Sequence, residues 1–254
     1  EYGGSGFSAA AYCKTMETIG PLDASAAIVI GAHQSIGIKP LLLFGSDDQK
    51  KRWLPQLASG EMIGAFALTE PEAGSDAGSL KMTAVHDPAT DEYVLNGTKQ
   101  WISNGGFARF FTVFARVPSD VAEKHKEIAC FAVVAGPDGM LPGLTRGVEE
   151  KKLGLCASST CQIILENCRV PSANVIGGLG NGFKVAVETL NTGRTSLGAG
   201  AVGIRQFSQP PRAESSGILS ALRAQGRHGT TRIRRSQRDT LHAQRSALLF
   251  RGRQ

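Results

Sequence analysis

One loop of the chain combines two hydroxyl side chains with a turn that exposes backbone N–H groups. The segment Phe66–Asp76 has the sequence Phe-Ala-Leu-Thr-Glu-Pro-Glu-Ala-Gly-Ser-Asp. A predicted strand runs into a turn that contains Pro71 and Gly74, and Thr69 and Ser75 supply the hydroxyls. Such a loop can bind a phosphate or the polar edge of a ring through its donors. Taken alone, the pattern favours an ordinary hairpin loop with Asx and Ser turns.

A second stretch, Asn96–Gly106, has the sequence Asn-Gly-Thr-Lys-Gln-Trp-Ile-Ser-Asn-Gly-Gly. Trp101 and Ser103 lie two residues apart in a predicted strand, so the indole and the hydroxyl are expected to point to the same side. A tryptophan in a strand usually belongs to the core. A flat ligand on that side would, however, find a stacking surface and a hydrogen bond together.

Helices are predicted on the N-terminal side of both stretches. Ala9–Ile19 and Asp23–Phe44 contain few helix breakers,. A third helix is predicted to begin after Ser46, whose hydroxyl can cap it while Gln49 reaches back, which is a capping-box arrangement. Pro55 is expected close to the end of this helix.

From Met62 onward the sequence predicts short strands rich in β-branched and aromatic residues,. Asn96–Gly97 is the strongest hairpin signal among the turns between them. Strands at this spacing predict a sandwich or a barrel. A helix is predicted again over Phe183–Leu190. The predicted strands are Ile63–Leu68, Lys81–His86, Tyr93–Leu95, Gln100–Ser103, Phe110–Ala115, Ile128–Val134 and Gln162–Leu165.

The composition indicates a globular, soluble protein. The chain has 254 residues, of which 41% are hydrophobic, and no run approaches the roughly 18 apolar residues of a membrane span,. Its five cysteines are odd in number and lack metal-ligand spacing. We therefore predict a reducing compartment, with neither a disulfide nor a bound metal. Because the sequence begins with Glu1 rather than methionine, we expect its natural amino terminus to lie further upstream.

The positive charge of the chain is confined to its end. Residues 1–203 hold 17 basic and 20 acidic residues, whereas residues 204–254 hold 11 arginines, no lysine and 2 acidic residues. We expect this tail to be disordered. One hypothesis is that it results from a coding sequence read in the wrong frame. The alternative is a basic arm for RNA or an anionic membrane, which the scarcity of aromatic residues disfavours.

Together, the two stretches resemble the acyl-CoA dehydrogenase family. Its patterns Thr-Glu-Pro-x-x-Gly-Ser-Asp and Lys-x-Trp-Ile-Ser-Asn occur here at Thr69–Asp76 and Lys99–Asn104. The resemblance extends from Tyr2 to about Gly203. Within the family, Gly31–Gly37 is most similar to the very-long-chain branch.

The resemblance implies an α+β fold with an N-terminal helical domain, a middle β-barrel and the start of a C-terminal helical bundle. The helical domain would occupy residues 1–61, the barrel residues 62–177 and the returning helices residues 178–203. Residues 204–254 would form the basic tail.

The resemblance further implies that the barrel holds FAD against the bundle, usually between two subunits. Ser75 is also expected near the pantetheine of an acyl-CoA substrate, and Ser103 stands where many relatives have threonine. The residues implied for the cofactor are Phe66, Leu68 and Thr69 along the isoalloxazine ring, Gly74 and Ser75 at the pyrophosphate, Trp101 beside the ring and Ser103 at flavin N5.

The implied activity is the oxidation of long-chain acyl-CoA thioesters to trans-2-enoyl-CoA, with electrons passing to an electron-transferring flavoprotein. A base takes the α-proton while hydride leaves the β-carbon for flavin N5. In the family the base is a glutamate beyond the position of Gly203. Glu214 and Asp239 are the only carboxylates there and neither has a recognisable context. No catalytic residue is therefore assigned, and this chain is expected to be inactive and to bind FAD weakly.

Other interpretations stay open at this point. An acyl-CoA oxidase or a flavin monooxygenase of the same fold would pass the electrons to oxygen, and an inactive truncated product would catalyse nothing. The full-length parent is expected to be a homodimer or homotetramer in bacterial cytoplasm or the mitochondrial matrix, without a nucleic-acid partner or an integral membrane segment.

Three residues of the second predicted helix admit two interpretations each. His33 lies near the expected acyl channel, where a core or channel-wall histidine is a better interpretation than a catalytic one. Ala27 and Gly31 lie four residues apart on one helix face and are small. They either deepen a groove for a long acyl chain or allow close helix packing.

Overall fold

The computed structural model describes residues 2–118 and 127–208. Four α-helices precede the first strand: α1 (Ala9–Ile19), α2 (Ala24–Gly31), α3 (Lys39–Phe44) and α4 (Asp47–Ser59). The bounds predicted for α1 are confirmed. The predicted capping box of α4 is confirmed as well, since Ser46 Oγ accepts a hydrogen bond from Gln49 N while Gln49 Oε1 accepts one from Ser46 N. Pro55 lies inside α4, which continues to Ser59.

A π-helical segment, Ala32–Gly37, joins α2 to α3, so the single long helix predicted over Asp23–Phe44 is interrupted. The interruption is caused by contacts between this segment and the strands that pack against it. The carbonyl of Gly37 accepts a hydrogen bond from Thr112 Oγ1 at 2.8 Å. A Cβ at Gly37 would lie 2.8 Å from the carbonyl carbon of Gly64, so only glycine lets helix and strand approach this closely,.

Within the described residues, eight strands form one mixed sheet. They are β1 (Gly64–Ala67), β2 (Thr83–Asp87), β3 (Glu92–Ser103), β4 (Phe110–Arg116), β5 (Ile128–Val134), β6 (Leu144–Arg146), β7 (Thr160–Pro171) and β8 (Val175–Ile176). Their order is β6-β7-β3-β2-β4-β5-β8, and β1 pairs in parallel with β4. The remaining pairs are antiparallel except for a single parallel pairing between β2 and β4.

The sheet buries both of its faces. Strands β1 to β7 all contribute to one inner core, which includes Leu95, Phe111 and Phe131. Because seven strands meet in one cluster, the sheet wraps around its own core in the manner of a barrel. The outer face forms a second core with the helices, in which Trp53 of α4 packs edge-on against Phe110 of β4. The predicted fold class, helices followed by a β-barrel and a returning helix, is confirmed.

The hairpin predicted at Asn96–Gly97 is wrong. Both residues lie inside β3, which is one continuous strand paired with β7, and the register shifts by one residue at this point. Gly97 adopts a φ of 148°, and a Cβ there would lie 2.9 Å from Met82 Cα. The glycine is therefore needed for a bulge and a close approach to the chain before β2 rather than for a turn. The hairpin lies earlier, between β2 and β3, with Asp91 at a φ of 52°.

A fifth helix, α5 (Gly182–Ser208), follows the sheet and extends well beyond the predicted segment Phe183–Leu190. The sequence places the start of the basic tail at Ile204, yet the first five residues of that tail are helical. The prediction of disorder for residues 209–254 concerns residues outside the described part of the chain.

One helical run within residues 2–118 and 127–208 has the length and composition of a membrane span. It is Ala24–Phe44, which includes the π-helical segment, and its mean hydropathy is 1.5. Core helices of soluble proteins meet the same criteria. In this structure Leu41 of the run is fully buried in the outer core, and the π-helical turn within it bonds to β4. These contacts favour a core helix.

Candidate functional site

The loop that follows β1, Thr69–Asp76, is anchored by the side chain of Glu70. Its carboxylate is buried and accepts hydrogen bonds from Lys81 N at 2.6 Å and Met82 N at 3.0 Å. A tight turn closes directly after it, because Glu70 and Ala73 exchange backbone hydrogen bonds. The base of the predicted phosphate loop is therefore fixed to the chain segment that enters β2.

Lys99 of β3 holds the same carboxylate from the other side. Its ammonium is fully buried and donates to Glu70 Oε1 at 2.7 Å and to the carbonyl of Leu68 at 3.1 Å. Beside it, Gln100 N donates to the carbonyl of Thr69 at 2.8 Å. Burial lowers the pKa of Lys99 to about 8 against the opposing effect of the Glu70 carboxylate, so the side chain is mostly protonated at neutral pH,. The two sequence stretches are thus joined by a buried ion pair.

Trp101 and Ser103 do not share one regular strand face as the sequence predicted. The register between β3 and β7 shifts between Lys99 and Ile102, and Trp101 at this bulge has a left-handed φ of 56°. The indole is 62% exposed. Ser103, by contrast, is half-buried and lines a cavity. The bulge therefore turns the indole outward, and only the serine reaches the interior.

The other residues assigned to the cofactor lie along β1 and its loop. Phe66 and Leu68 are buried at the outer core, where Phe66 packs against Phe114 with ring centroids 5.0 Å apart. Thr69 is half-buried. The loop residues Gly74 and Ser75 are exposed.

Several polar groups of this set are unused within the part of the chain that the structure describes. The hydroxyls of Thr69, Ser75 and Ser103 make no hydrogen bond there, and neither do the backbone N–H groups of Gly74 and Ser75. A flavin ring and its pyrophosphate need donors and hydroxyls of this kind, so the residues present fit the cofactor.

A largely apolar cavity of about 380 Å³ opens beside Ser103, between α1, α2, the π-helical segment and α5. Both residues that the sequence singled out for a groove, Ala27 and Gly31, line it. Leu155 reaches it from the loop before β7. Small residues dominate the walls, and no carboxylate occurs among the described residues that line it. The lining includes Met16, Gly20, Ala24, Ile28, Ala32, Ser35, Ile36, Leu190, Gly193, Arg194, Ser196, Leu197, Gly200, Ala201 and Ile204.

Three hydroxyls tie the walls of this cavity together. Ser35 Oγ lies 3.0 Å from the hydroxyl of Tyr12 and 2.9 Å from Ser196 Oγ, which donates to the carbonyl of Gly193. The network joins α1, the π-helical segment and α5. Since each hydroxyl has a partner, the cavity remains suited to an apolar ligand.

His33 is a structural residue beneath the cavity, as the sequence interpretation favoured. Its ring is buried, Nε2–H donates to the carbonyl of Leu57 at 3.0 Å, and Nδ1 accepts from Gly64 N at 2.9 Å. Both partners fix the neutral Nε2–H tautomer. Burial lowers the pKa of His33. The ring therefore joins the π-helical segment to α4 and β1 and is not free to transfer protons.

Glu70, Lys99 and Asn104 are site residues that the sequence analysis left without a role. Asn104 Nδ2 donates to the carbonyl of Val29 at 3.0 Å and so connects the end of β3 to α2. A signal existed for all three, because Glu70 is a fixed letter of the first family pattern and Lys99 and Asn104 are fixed letters of the second. No sequence feature showed that Glu70 and Lys99 face each other.

The structure combines a mixed sheet wrapped around its own core, helices on the outer face of that sheet and an apolar cavity beside Ser103. These features define a helix-plus-barrel protein. The chain belongs to the acyl-CoA dehydrogenase family. The family model described as Acyl-CoA dehydrogenase, N-terminal domain, matches residues 1–61. The family model described as Acyl-CoA dehydrogenase, middle domain, matches residues 65–168.

Characterised relatives match the same part of the chain. The very long-chain specific acyl-CoA dehydrogenase of Homo sapiens, a mitochondrial protein, is 47% identical over 207 residues, which are 80% of this chain and 31% of the relative. An acyl-CoA dehydrogenase of Bacillus subtilis is 41% identical over 81% of this chain and 52% of its own length. The solved acyl-CoA dehydrogenase of Bacillus anthracis in complex with FAD is 42% identical, with a TM-score of 0.72 over 80% of this chain and 33% of that one. The chain thus spans about a third to a half of these relatives.

Proposed function

We propose that this chain carries the FAD-binding and acyl-chain-binding parts of an FAD-dependent acyl-CoA dehydrogenase. The observation that carries the proposal is the position of Ser103. The family resemblance assigns its hydroxyl to flavin N5, and the structure places it on the wall of an apolar cavity. One residue thus connects the site of the ring with the site of an acyl chain. The FAD complex of the Bacillus anthracis relative supports the choice of cofactor.

Bound FAD would supply the redox chemistry, because its ring can take up the hydride that leaves the acyl β-carbon. The residues of this chain bind and orient the reactants. Thr69 and Ser103 offer hydroxyls to the ring, and the N–H groups of Gly74 and Ser75 offer donors to the pyrophosphate. The apolar walls exclude water from the acyl chain. Because no carboxylate lines the cavity within the described residues, the acceptor of the α-proton is not assigned to any of them.

We also propose that the acyl chain is long. Ala27 and Gly31 of α2 face Gly193 and Gly200 of α5 around the cavity, so small residues on both walls leave room for methylene groups. The similarity to very-long-chain relatives supports the same conclusion.

The whole protein's partners follow from the same family and are proposals as well. They are an acyl-CoA thioester as substrate, an electron-transferring flavoprotein as electron acceptor and a further copy of the chain. The relatives named above come from mitochondria and from bacteria, which supports the mitochondrial matrix or the bacterial cytoplasm as the compartment.

Ser103→Ala is expected to weaken FAD binding by about fivefold, because one hydrogen bond to the ring is worth on the order of 1 kcal/mol. FAD affinity is measured by titrating the apoprotein and following flavin fluorescence. Ser103→Thr keeps the hydroxyl and serves as the matched control, with an affinity within about twofold of the wild type. A wild-type chain without measurable FAD binding would refute the proposed function, whereas equal affinities of all three proteins would refute only the role of Ser103.

Gly31→Leu is expected to fill the cavity. A Cβ at Gly31 has only Met16 Cε nearby, at 3.6 Å, and the backbone there is helical, so the larger side chain fits without strain. Displacing about three methylene groups of the ligand removes about 2 kcal/mol, roughly a thirtyfold loss of affinity for a C16 acyl-CoA. Binding of a C4 acyl-CoA should change by less than about threefold.

The control for this substitution is Gly198→Leu, also on a helix but with open space around its Cβ. Isothermal titration calorimetry with both acyl-CoAs compares the two variants. Equal losses for the C4 and C16 ligands, or a loss in the control, would contradict the assignment of the cavity to the acyl chain.

A further inference from the structure

The ion pair between Lys99 and Glu70 lies where the two stretches assigned to the cofactor meet. Glu70 follows Thr69 directly in the loop after β1. Lys99 precedes Trp101 and Ser103 by two and four residues in β3. Every residue assigned to the flavin is therefore within six residues of one member of the pair.

The hydrogen bonds of the pair connect three chain segments. The carboxylate of Glu70 receives the N–H groups of Lys81 and Met82 and the ammonium of Lys99, while the same ammonium also binds the carbonyl of Leu68. The end of β1, the entry to β2 and the middle of β3 are thus held around one buried charge pair.

Stability alone gives no reason for an ion pair at this position. The side chains of Lys99 and Glu70 are 0% and 6% exposed, and removing two charges from water opposes much of their attraction,. Apolar residues of similar volume often stabilise a core equally well. What an ion pair with several directed hydrogen bonds does provide is a defined geometry between the segments it joins.

The pair sits next to the bulge of β3, where regular pairing cannot define that geometry. Between Lys99 and Ile102 the register with β7 shifts, and Trp101 leaves the extended conformation. On the side of β3 away from β7, a backbone hydrogen bond from Gln100 N to Thr69 O connects the strand to the loop. The Lys99–Glu70 ion pair, called the clamp below, holds the segments together where the hydrogen bonds between β3 and β7 are interrupted.

We infer that Lys99 and Glu70 are positioning residues that fix the loop Thr69–Ser75 against the bulge of β3, so that the two sets of flavin contacts lie at the correct separation before the cofactor binds. The inference rests on the proposed function for its purpose, although the geometry it concerns is present without flavin. Preorganisation of this kind raises affinity because the protein does not have to order the loop on binding.

The test uses the double substitution Lys99→Met and Glu70→Gln, which removes both charges and keeps the side-chain volumes. The matched control is Lys81→Met with Glu72→Gln, which removes an exposed ion pair between the same loop and the chain segment that enters β2. Hydrogen–deuterium exchange of the flavin-free proteins reports the order of residues 69–82 and 97–103. Flavin titration reports FAD affinity.

In the double variant, exchange in these segments is expected to rise about tenfold and FAD affinity to fall about tenfold, while strands β4 and β5 exchange as in the wild type. The control should stay within about twofold on both readouts. If the double variant does not fold by circular dichroism, Glu70→Asp replaces it with the same expected direction, because it keeps both buried charges but shortens the reach of the carboxylate to its three donors.

Unchanged exchange in a folded variant overturns the inference, whatever the result for FAD. Faster exchange with unchanged FAD affinity overturns it too, because the pair would then order the loop without affecting the cofactor. A wild-type chain that binds no FAD refutes the proposed function instead, and the exchange measurement still decides whether the pair organises the loop.

Discussion

Replacing Lys99 alone by methionine is expected to lower the free energy of unfolding by about 3–5 kcal/mol, the range measured when one partner of a buried ion pair is removed. The reason is the charge left behind. Glu70 is 6% exposed, and its carboxylate would keep two backbone donors but lose the buried ammonium 2.7 Å away. The methionine side chain fills the space of the lysine, so cavity formation contributes little.

Urea denaturation followed by circular dichroism measures this effect. The control is Lys81→Met, which removes an ammonium that is 72% exposed and should change the free energy by less than about 1 kcal/mol,. Adding Glu70→Gln to Lys99→Met should restore part of the lost stability, because the stranded carboxylate disappears. A single variant as stable as the control, or a double variant less stable than the single one, would show that Glu70 and Lys99 are not energetically coupled.

The sequence predicted those parts of the fold that local chemistry determines. The start of α4 depends on Ser46 and Gln49, which are close neighbours in the chain and find each other in any context. Strand β5 was predicted with its observed bounds, Ile128–Val134, because an apolar run of that length fits a strand buried on both faces,. In both cases the residues whose types predict the element are the same residues that form it.

Predictions failed where a distant segment determines the local conformation. Asn96–Gly97 has the composition of a hairpin turn, but pairing with β7 carries β3 straight through it. The same strand partner creates the bulge that turns Trp101 outward. The π-helical segment likewise depends on Thr112 of β4 and on the close approach of Gly37 to Gly64. No pattern within the segment itself contains this information.

The candidate site likewise has features that local residue types predict and features that depend on distant segments. Its hydroxyls and its glycine-rich turn could be predicted from residue types, because those types limit what the side chains can bind. The clamp could not be predicted in this way, since lysine and glutamate are normally exposed and a sequence gives no distance between residues 29 positions apart,. The fold brings them within 2.7 Å only through the arrangement of β1, β2 and β3.

His33→Leu is expected to lower the free energy of unfolding by about 2–5 kcal/mol. The substitution keeps a buried apolar volume but removes both ring nitrogens, so the carbonyl of Leu57 and the N–H of Gly64 lose their bonds to the side chain inside the core. Each buried group left without a partner costs about 1–3 kcal/mol. The control is His86→Leu at a surface position, which should change stability by less than about 0.5 kcal/mol,.

The same histidine predicts how the stability of the wild type depends on pH. Burial lowers the pKa of His33 in the folded state, whereas the pKa of the same side chain in the unfolded chain is about 6.5,. Below that value the unfolded state binds the proton and the folded state does not, so stability is lost as pH falls from about 6.5 toward the folded pKa. Above about 7 His33 contributes no pH dependence, because it is neutral in both states.

Urea denaturation at pH 7.5, 6.5 and 5.5 separates this contribution from the rest. The wild type and His86→Leu should both lose stability over this interval, and His33→Leu should lose less, because the group that titrates differently between the two states is gone. A parallel decline in all three proteins would contradict the link to His33. It would place the titration on a group other than His33. Asp87 and Asp91 would not account for it, because hydrogen bonds to Arg169 and His86 lower their pKa values and their contribution is lost only below about pH 5,.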